Sequence, residues 1–279
     1  MFKLIKILFY TFLFAFLVFL ISVLLKEPSL ERNWSEESKI LPKVTMSGSN
    51  VTIQNIRDWR YASSSVTFKD YYNDTFNLDN IKSTYFVIST FGPWTGIAHT
   101  FLIFEFTDGK TVAMSMEARR ETGVPYSTIK GTFNNYEQWY AWGSAADFVT
   151  RRVINFGDPI YMYPLNITAT TSRALFLDLA QTTHELETKP KFYNTLFSNC
   201  TNILAYAANR INKGSIPWST AGFIPGFSDD ELYELKLIPH EKPFEEELMD
   251  ANLNDEVYEY HTERMGMYSK LEFWSSIKP

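Results

Sequence analysis

Among the 279 residues there is a single cysteine, and there are four histidines. One thiol forms no intramolecular disulfide, and so few soft ligands exclude Cys-rich zinc sites. Positive charge is also short, with 26 Lys and Arg against 32 Asp and Glu for a net charge of −6. That balance argues against non-specific nucleic-acid binding, which draws its affinity from cations on phosphates. The sequence has no internal repeat, no low-complexity stretch, and after residue 25 no further apolar run of membrane-spanning length. Core material, by contrast, is plentiful: 45% of residues are hydrophobic and 16% aromatic, led by 23 Phe and 16 Tyr. Disorder as the main state is thereby excluded.

The one long apolar run stands at the N-terminus. Lys3 and Lys6 precede the uncharged stretch Ile7 to Leu25, which ends at Lys26. At ~1.5 Å per residue it reaches roughly 28 Å, against a hydrocarbon core of about 30 Å. The exit Ser22-Val23-Leu24-Leu25-Lys26-Glu27 is bulky where a cleavage site needs small residues, so the run reads as an uncleaved signal anchor. The two leading lysines set residues 1–6 in the cytoplasm and everything after the 7–25 span outside the cytoplasmic membrane, in a periplasmic or extracellular space. Residues 26–49 are polar, with Pro28, Pro42 and Gly48, and read as a tether. A folded domain is expected over 50–227. Residues 228–279 form an acidic C-terminal extension, whose part from Ser228 to Glu263 carries 13 acids against two lysines.

Within the domain, Val51 to Ile56 alternates as a strand does, and Tyr85 to Phe91 is β-branched and aromatic. Ile97 to Phe106 and Thr111 to Arg119 flank Asp108-Gly109, the signature of a hairpin turn. Strand parity puts His99, Phe101, Ile103 and Glu105 on one face of the first strand and Ala113, Ser115, Glu117 and Arg119 on one face of the second. Tyr136 to Arg152 reads as a helix weakened at Gly143, and Asp158 to Leu165 as a short strand. Thr171 to Leu186 and Cys200 to Ile211 have helical spacing, capped by Thr171 or Ser172 and by Ser198 or Asn199. The expected class is α+β, a small, mostly antiparallel sheet packed on helices, behind an N-terminal transmembrane helix.

Cys200 carries the most chemical information. An idle thiol outside the cytoplasm is exposed to oxidation and mispairing. A position in the first turn of a helix favours the thiolate through the macrodipole and unsatisfied amides, which can also hold an oxyanion. A thiol nucleophile needs a base, and His99, alone on an apolar strand, is the histidine that pays desolvation unless it has a partner. His184 falls on the polar part of its helix, and His240 and His261 belong to the acidic tail. Glu117, and after it Ser115, is placed to orient the imidazole; the competing reading pairs Glu117 with Arg119 or Arg120. Arg57, Arg60, Arg119 and Arg120 could hold a phosphate or carboxylate, or pair internally with Asp58, Glu121 and Glu137. Arg119, Arg120 and Asn199 are the candidate substrate-binding residues. Nothing in the sequence calls for a metal or an organic cofactor.

The order of these motifs resembles the Lnb N-terminal periplasmic domain family, a bacterial group linked to lipoprotein N-acyl transfer. The resemblance lies in Asn55-Ile56-Arg57-Asp58-Trp59-Arg60-Tyr61, Ala98-His99-Thr100-Phe101, Ser115-Met116-Glu117-Ala118-Arg119-Arg120-Glu121, Tyr136-Glu137, Phe192-Tyr193-Asn194 and Asn199-Cys200-Thr201, and covers roughly Val51 to Ile211. A wider resemblance is to circularly permuted papain-like thiol enzymes of the NlpC type and to the lecithin retinol acyltransferase group. It implies a permuted papain-like fold, Cys200 as the acyl-accepting nucleophile, His99 as its base and Glu117 as a candidate orienting residue. The implied activity is acyl transfer through a Cys thioester, with a membrane lipid or lipoprotein as substrate. Two alternatives stand beside it. One is a papain-like cell-wall amidohydrolase. The other is a non-catalytic glycan-binding module using Trp59, Trp94, Trp139, Trp142 and Trp218.

Overall fold

The computed structural model describes residues 2–63, 65–264, 266 and 269–278. Helices α1 (Phe2–Leu24) and α2 (Glu36–Lys39) lead into strands β1 (Lys43–Ser47) and β2 (Asn50–Arg57). A small hairpin of β3 (Arg60–Ala62) and β4 (Ser65–Phe68) follows, then β5 (Tyr71–Asn77), β6 (Ile81–Thr90), β7 (Ala98–Phe106) and β8 (Thr111–Arg119). Next come α3 (Thr128–Thr132), β9 (Glu137–Gly143), α4 (Ala145–Thr150) with a π-helical turn over Arg151–Phe156, and β10 (Ile160–Pro164). Helices α5 (Ala169–Leu186) and α6 (Cys200–Ile211) precede a helical C-terminal part. That part comprises α7 (Thr220–Phe223), α8 (Ser228–Glu234), α9 (Phe244–Asp250), α10 (Asn254–Glu263) and α11 (Lys270–Ile277).

The main sheet runs β1-β2-β9-β8-β7-β6-β10, with β5 lying along β2. Every pairing in it is antiparallel except the contact of β2 with β9. The class is mixed α and β, as expected, but the sheet is not small. It is larger because β1 and β9 were expected as tether and helix. Residues 137–143 are buried at every position, so neither an alternating nor a helical period shows in their sequence. A strand covered on both faces reads as an unbroken apolar run, and Trp139, Tyr140 and Trp142 suit a pleated surface.

Side chains alternate between two cores. Phe86, Leu102, Phe104, Met114 and Trp142 meet Leu175, Phe176 and Leu179 of α5 and Leu204 and Ala207 of α6. Val87, Phe101, Ile103, Ala113 and Trp139 meet α4, Val257 of α10, and Phe273 and Trp274 of α11. Residues after 228 therefore close the second face rather than trailing from the domain. The segment 26–49 is no free tether either. Trp34, Ser38 and Val44 are buried, Val44 is in β1, and Trp34 bridges to Glu121.

The β7–β8 turn has the expected form, with Gly109 at φ +85°, a conformation glycine adopts without steric cost. Ile103 faces Ala113 across the hairpin, so the face carrying His99 is the face carrying Ser115 and Glu117. Helix α5 begins two residues before the expected start and is capped by Thr168, whose side chain accepts from the Thr171 amide. Helix α1 is long and apolar enough to cross a membrane, with a mean hydropathy of 2.7 over its best window. Its last turns touch the domain: Phe19 stacks edge-on against Phe133 at 5.1 Å, and Lys26 Nζ donates to Phe133 O (3.1 Å) and Asn135 Oδ1 (3.0 Å).

Candidate active site

Cys200 opens α6. The cap is Asn199: its side-chain oxygen accepts from the Asn202 amide at 2.8 Å, and its carbonyl accepts from Ile203 N. The amides of Cys200 and Thr201 are thus first-turn donors that the cap leaves uncommitted. Asn199 Nδ2 donates to Thr195 O and Gly222 O, so every polar atom of that side chain holds the loop and helix start. Its role is to place the cysteine, and it does not face the cavity as a substrate contact.

On the facing strand, His99 lines the same cavity as Cys200, close enough that imidazole and thiol each shift the other's titration. His99 Nε2 lies 2.7 Å from Ser115 Oγ and 3.1 Å from Glu117 Oε1, and Ser115 Oγ donates to Glu117 Oε1 at 3.3 Å. This assigns the proton of the neutral ring to Nε2 and leaves Nδ1 as its basic nitrogen. Thr100, the next residue on β7, stands beside the thiol and favours its ionised form, and its Oγ1 meets Thr201 Oγ1 at 3.1 Å. The strand and the helix start are thereby locked together beside the thiol.

Burial acts against every charge in this line, and proximity overcomes it. Burial pushes the Cys200 thiol up, yet the adjacent imidazole and the Thr100 donors bring it down to about 7. Burial and the Arg152 charge lower His99, while Glu117 and Cys200 raise it, and the net direction is upward. Glu117 is held well below the usual carboxylate range: burial opposes this, and His99, Arg151 and Arg152 outweigh it. The arrangement favours a thiolate–imidazolium pair with a carboxylate behind it.

The group opens onto a cavity of about 390 Å³ whose walls include Tyr126, Trp139, Tyr193, Arg120, Arg151 and Arg152. Of the candidate binding arginines, Arg120 lines it, with its guanidinium paired to Glu37 at 2.5 Å. Arg119 does not: it lies 4.1 Å over the Trp34 ring and donates to Ser38 O. Neither takes Glu117, so the competing ion-pair reading of that carboxylate is set aside. Arg57 is buried against Asp147, and Arg60 against Asp58. Of the tryptophans offered for glycan stacking, Trp59, Trp139 and Trp142 are buried, while Trp94 and Trp218 are exposed.

Sequence reasoning missed Glu37, Arg151, Arg152, Tyr126 and Tyr193. The Arg151-Arg152 pair at the end of an apolar helical run was the one available signal.

Fold and site define an α+β protein with an apolar N-terminal helix and a buried Cys–His pair backed by a carboxylate. The model of the Lnb N-terminal periplasmic domain family matches residues 67–222, more than half of the chain, and the chain belongs to that family. The match begins after the Asn55–Tyr61 segment and runs past Ile211. No curated protein and no solved structure matches it. Family and α1 together fit a periplasmic, membrane-anchored protein.

Proposed function

We propose that this protein is a periplasmic thiol acyltransferase of papain-like, circularly permuted type, held at the inner membrane by α1 with its N-terminus in the cytoplasm. The observation that carries the reading is the meeting of Cys200, His99 and Glu117 on one cavity, with Ser115 and Glu117 holding the imidazole. The Cys200 thiolate adds to an ester carbonyl of a lipid, and the amides of Cys200 and Thr201 receive the oxyanion. The C–O bond breaks and the His99 imidazolium gives its proton to the leaving alkoxide. An amine then attacks the thioester, forming the C–N bond as the C–S bond breaks. Its proton passes to His99, restoring the thiolate–imidazolium pair. Glu117 holds the ring in orientation and balances its charge throughout. The lipid class is supported by α1, whose end packs on residues 133–135, one short helix, α3, away from Tyr126 on the cavity wall.

The test is intact-protein mass spectrometry of the full chain after incubation with diacyl glycerophospholipid. An acyl-sized mass gain on Cys200, absent in Cys200→Ala, is expected. No adduct, together with release of peptides from peptidoglycan, would transfer the site to amidohydrolase chemistry.

A further inference from the structure

One cation on the cavity wall is less tightly paired than its neighbours. Arg120 and Arg151 both pair with Glu37. Arg152 pairs with Asp158 instead, and more loosely. Its side chain is 11% exposed, and its closest carboxylate oxygen, on Asp158, stands 3.6 Å away, the longest ion pair among the described residues. Its guanidinium makes no closer polar contact there, although it carries five N–H donors. Its counter-charges are Glu117, already engaged with His99, and Asp158 at this distance, so burial of the cation is only loosely compensated. The apolar faces of Phe156, at 5.4 Å, and Phe91, at 6.0 Å, shield it further from water.

The backbone points the same way. Arg152 is on the π-helical turn Arg151–Phe156 that prolongs α4. Two successive α-helical residues diverge by about 100°, whereas here both arginines reach the same cavity. π turns are rare and gather at functional sites.

We infer that Arg152 is the receptor for a phosphoryl group of the substrate, the phosphodiester of a glycerophospholipid head group, and so sets which lipid is presented to Cys200. This rests on the acyl-transfer reading. In such a lipid the phosphodiester and the ester carbonyls share one glycerol, so an anchor on the phosphate fixes the carbonyl. Arg supplies the planar fork that matches two phosphoryl oxygens. Arg152 also repels the His99 imidazolium, and a bound anion relieves that repulsion.

The experiment measures alkylation of Cys200 by iodoacetamide in the full chain in detergent, with glycerophosphoglycerol, inorganic phosphate or glycerol added. None of these carries an acyl ester, so the readout does not require acyl transfer. Saturable protection by glycerophosphoglycerol, with no effect of glycerol, is expected. In Arg152→Gln the half-protecting concentration should rise by about tenfold or more, the loss of a charged hydrogen-bonding partner. Arg152→Lys, which keeps the charge and loses the fork, should fall between the two and guards against a folding defect in the Gln variant. Protection by inorganic phosphate but not by the diester would overturn the lipid head group as the source. Protection by neither anion, or protection unchanged in both variants, would overturn the site. Either failure leaves a Cys200 acyl adduct standing, and absence of that adduct leaves the anion site standing.

Discussion

At the residue scale the decisive quantity is the charge state of one sulfur. Glu117 raises the His99 pKa, and the imidazolium in turn lowers Cys200 to about 7. Replacing Glu117 by Gln leaves burial and Arg152, both of which lower His99. The imidazolium becomes scarcer and the thiol pKa climbs. One unit of climb from about 7 cuts the thiolate at pH 7 from about one-half to about one-tenth of the thiol, so the alkylation rate there should drop by about fivefold. The pH profiles should also separate two requirements. Alkylation needs only the thiolate and rises through about pH 7 to a plateau in the wild type. Acyl transfer needs the imidazolium as well, so it should fall again at higher pH, once His99 passes its raised pKa. Both limbs belong to the coupled pair rather than to either residue alone. An alkylation limb unmoved in Glu117→Gln would assign the support of His99 to Ser115. Cys200, His99 and Glu117 were legible in the sequence because each depends on a local rule, strand parity or a helix cap. Glu37 and Arg152 were not, because what brings them to the cavity is contact between segments far apart in the chain.

At the scale of elements, the junction of β2, β9 and α4 rests on Asp147. This carboxylate accepts from Arg57 Nε (2.8 Å) and Nη2 (2.9 Å), the Trp59 amide (3.0 Å) and Tyr61 Oη (2.9 Å), all out of solvent. Asp147→Asn strips the buried Arg57 of its counter-charge and should lower stability by about 3–5 kcal/mol, read as a shift of the chemical denaturation midpoint. A loss under 1 kcal/mol would mean that water reaches Arg57. Gly143, the register partner of Arg57, fixes the same junction sterically. A Cβ there would stand 2.2 Å from Phe148 Cε2 and 3.1 Å from the Arg57 carbonyl, and Phe148 is a core ring with little room to move. Gly143→Ala should therefore cost about 1–3 kcal/mol. The same glycine is where the sequence misled. It was read as a weak spot within one helix, whereas it ends a strand, and Ser144 starts a helix by accepting from the Asp147 amide. Full burial of β9 had erased the alternation by which strands are recognised.

At the scale of the whole molecule, what precedes β1 divides into a membrane element and a part of the site. Helix α1 is exposed along nearly all of its length, while Glu37, thirteen residues beyond its end, lines the cavity and pairs with both Arg120 and Arg151. Two truncations separate these roles. A chain starting at residue 26 keeps Glu37 and loses only the apolar helix. It should retain the wild-type alkylation profile of Cys200 and lose acyl transfer from lipid in vesicles, where confinement to the surface supplies the encounter. A chain starting at residue 43 also loses the Glu37 carboxylate and the Trp34 ring under Arg119. It leaves the largely buried Arg151 without its counter-ion, and because that pair is partly open to solvent the cost is about 1–3 kcal/mol. It also removes a negative charge from the cavity. Its denaturation midpoint should fall well below that of the longer truncation, and its alkylation profile should shift. Equal midpoints and superimposable profiles would return residues 26–42 to the status of a spacer, and the cavity would then begin at β7 rather than at the membrane.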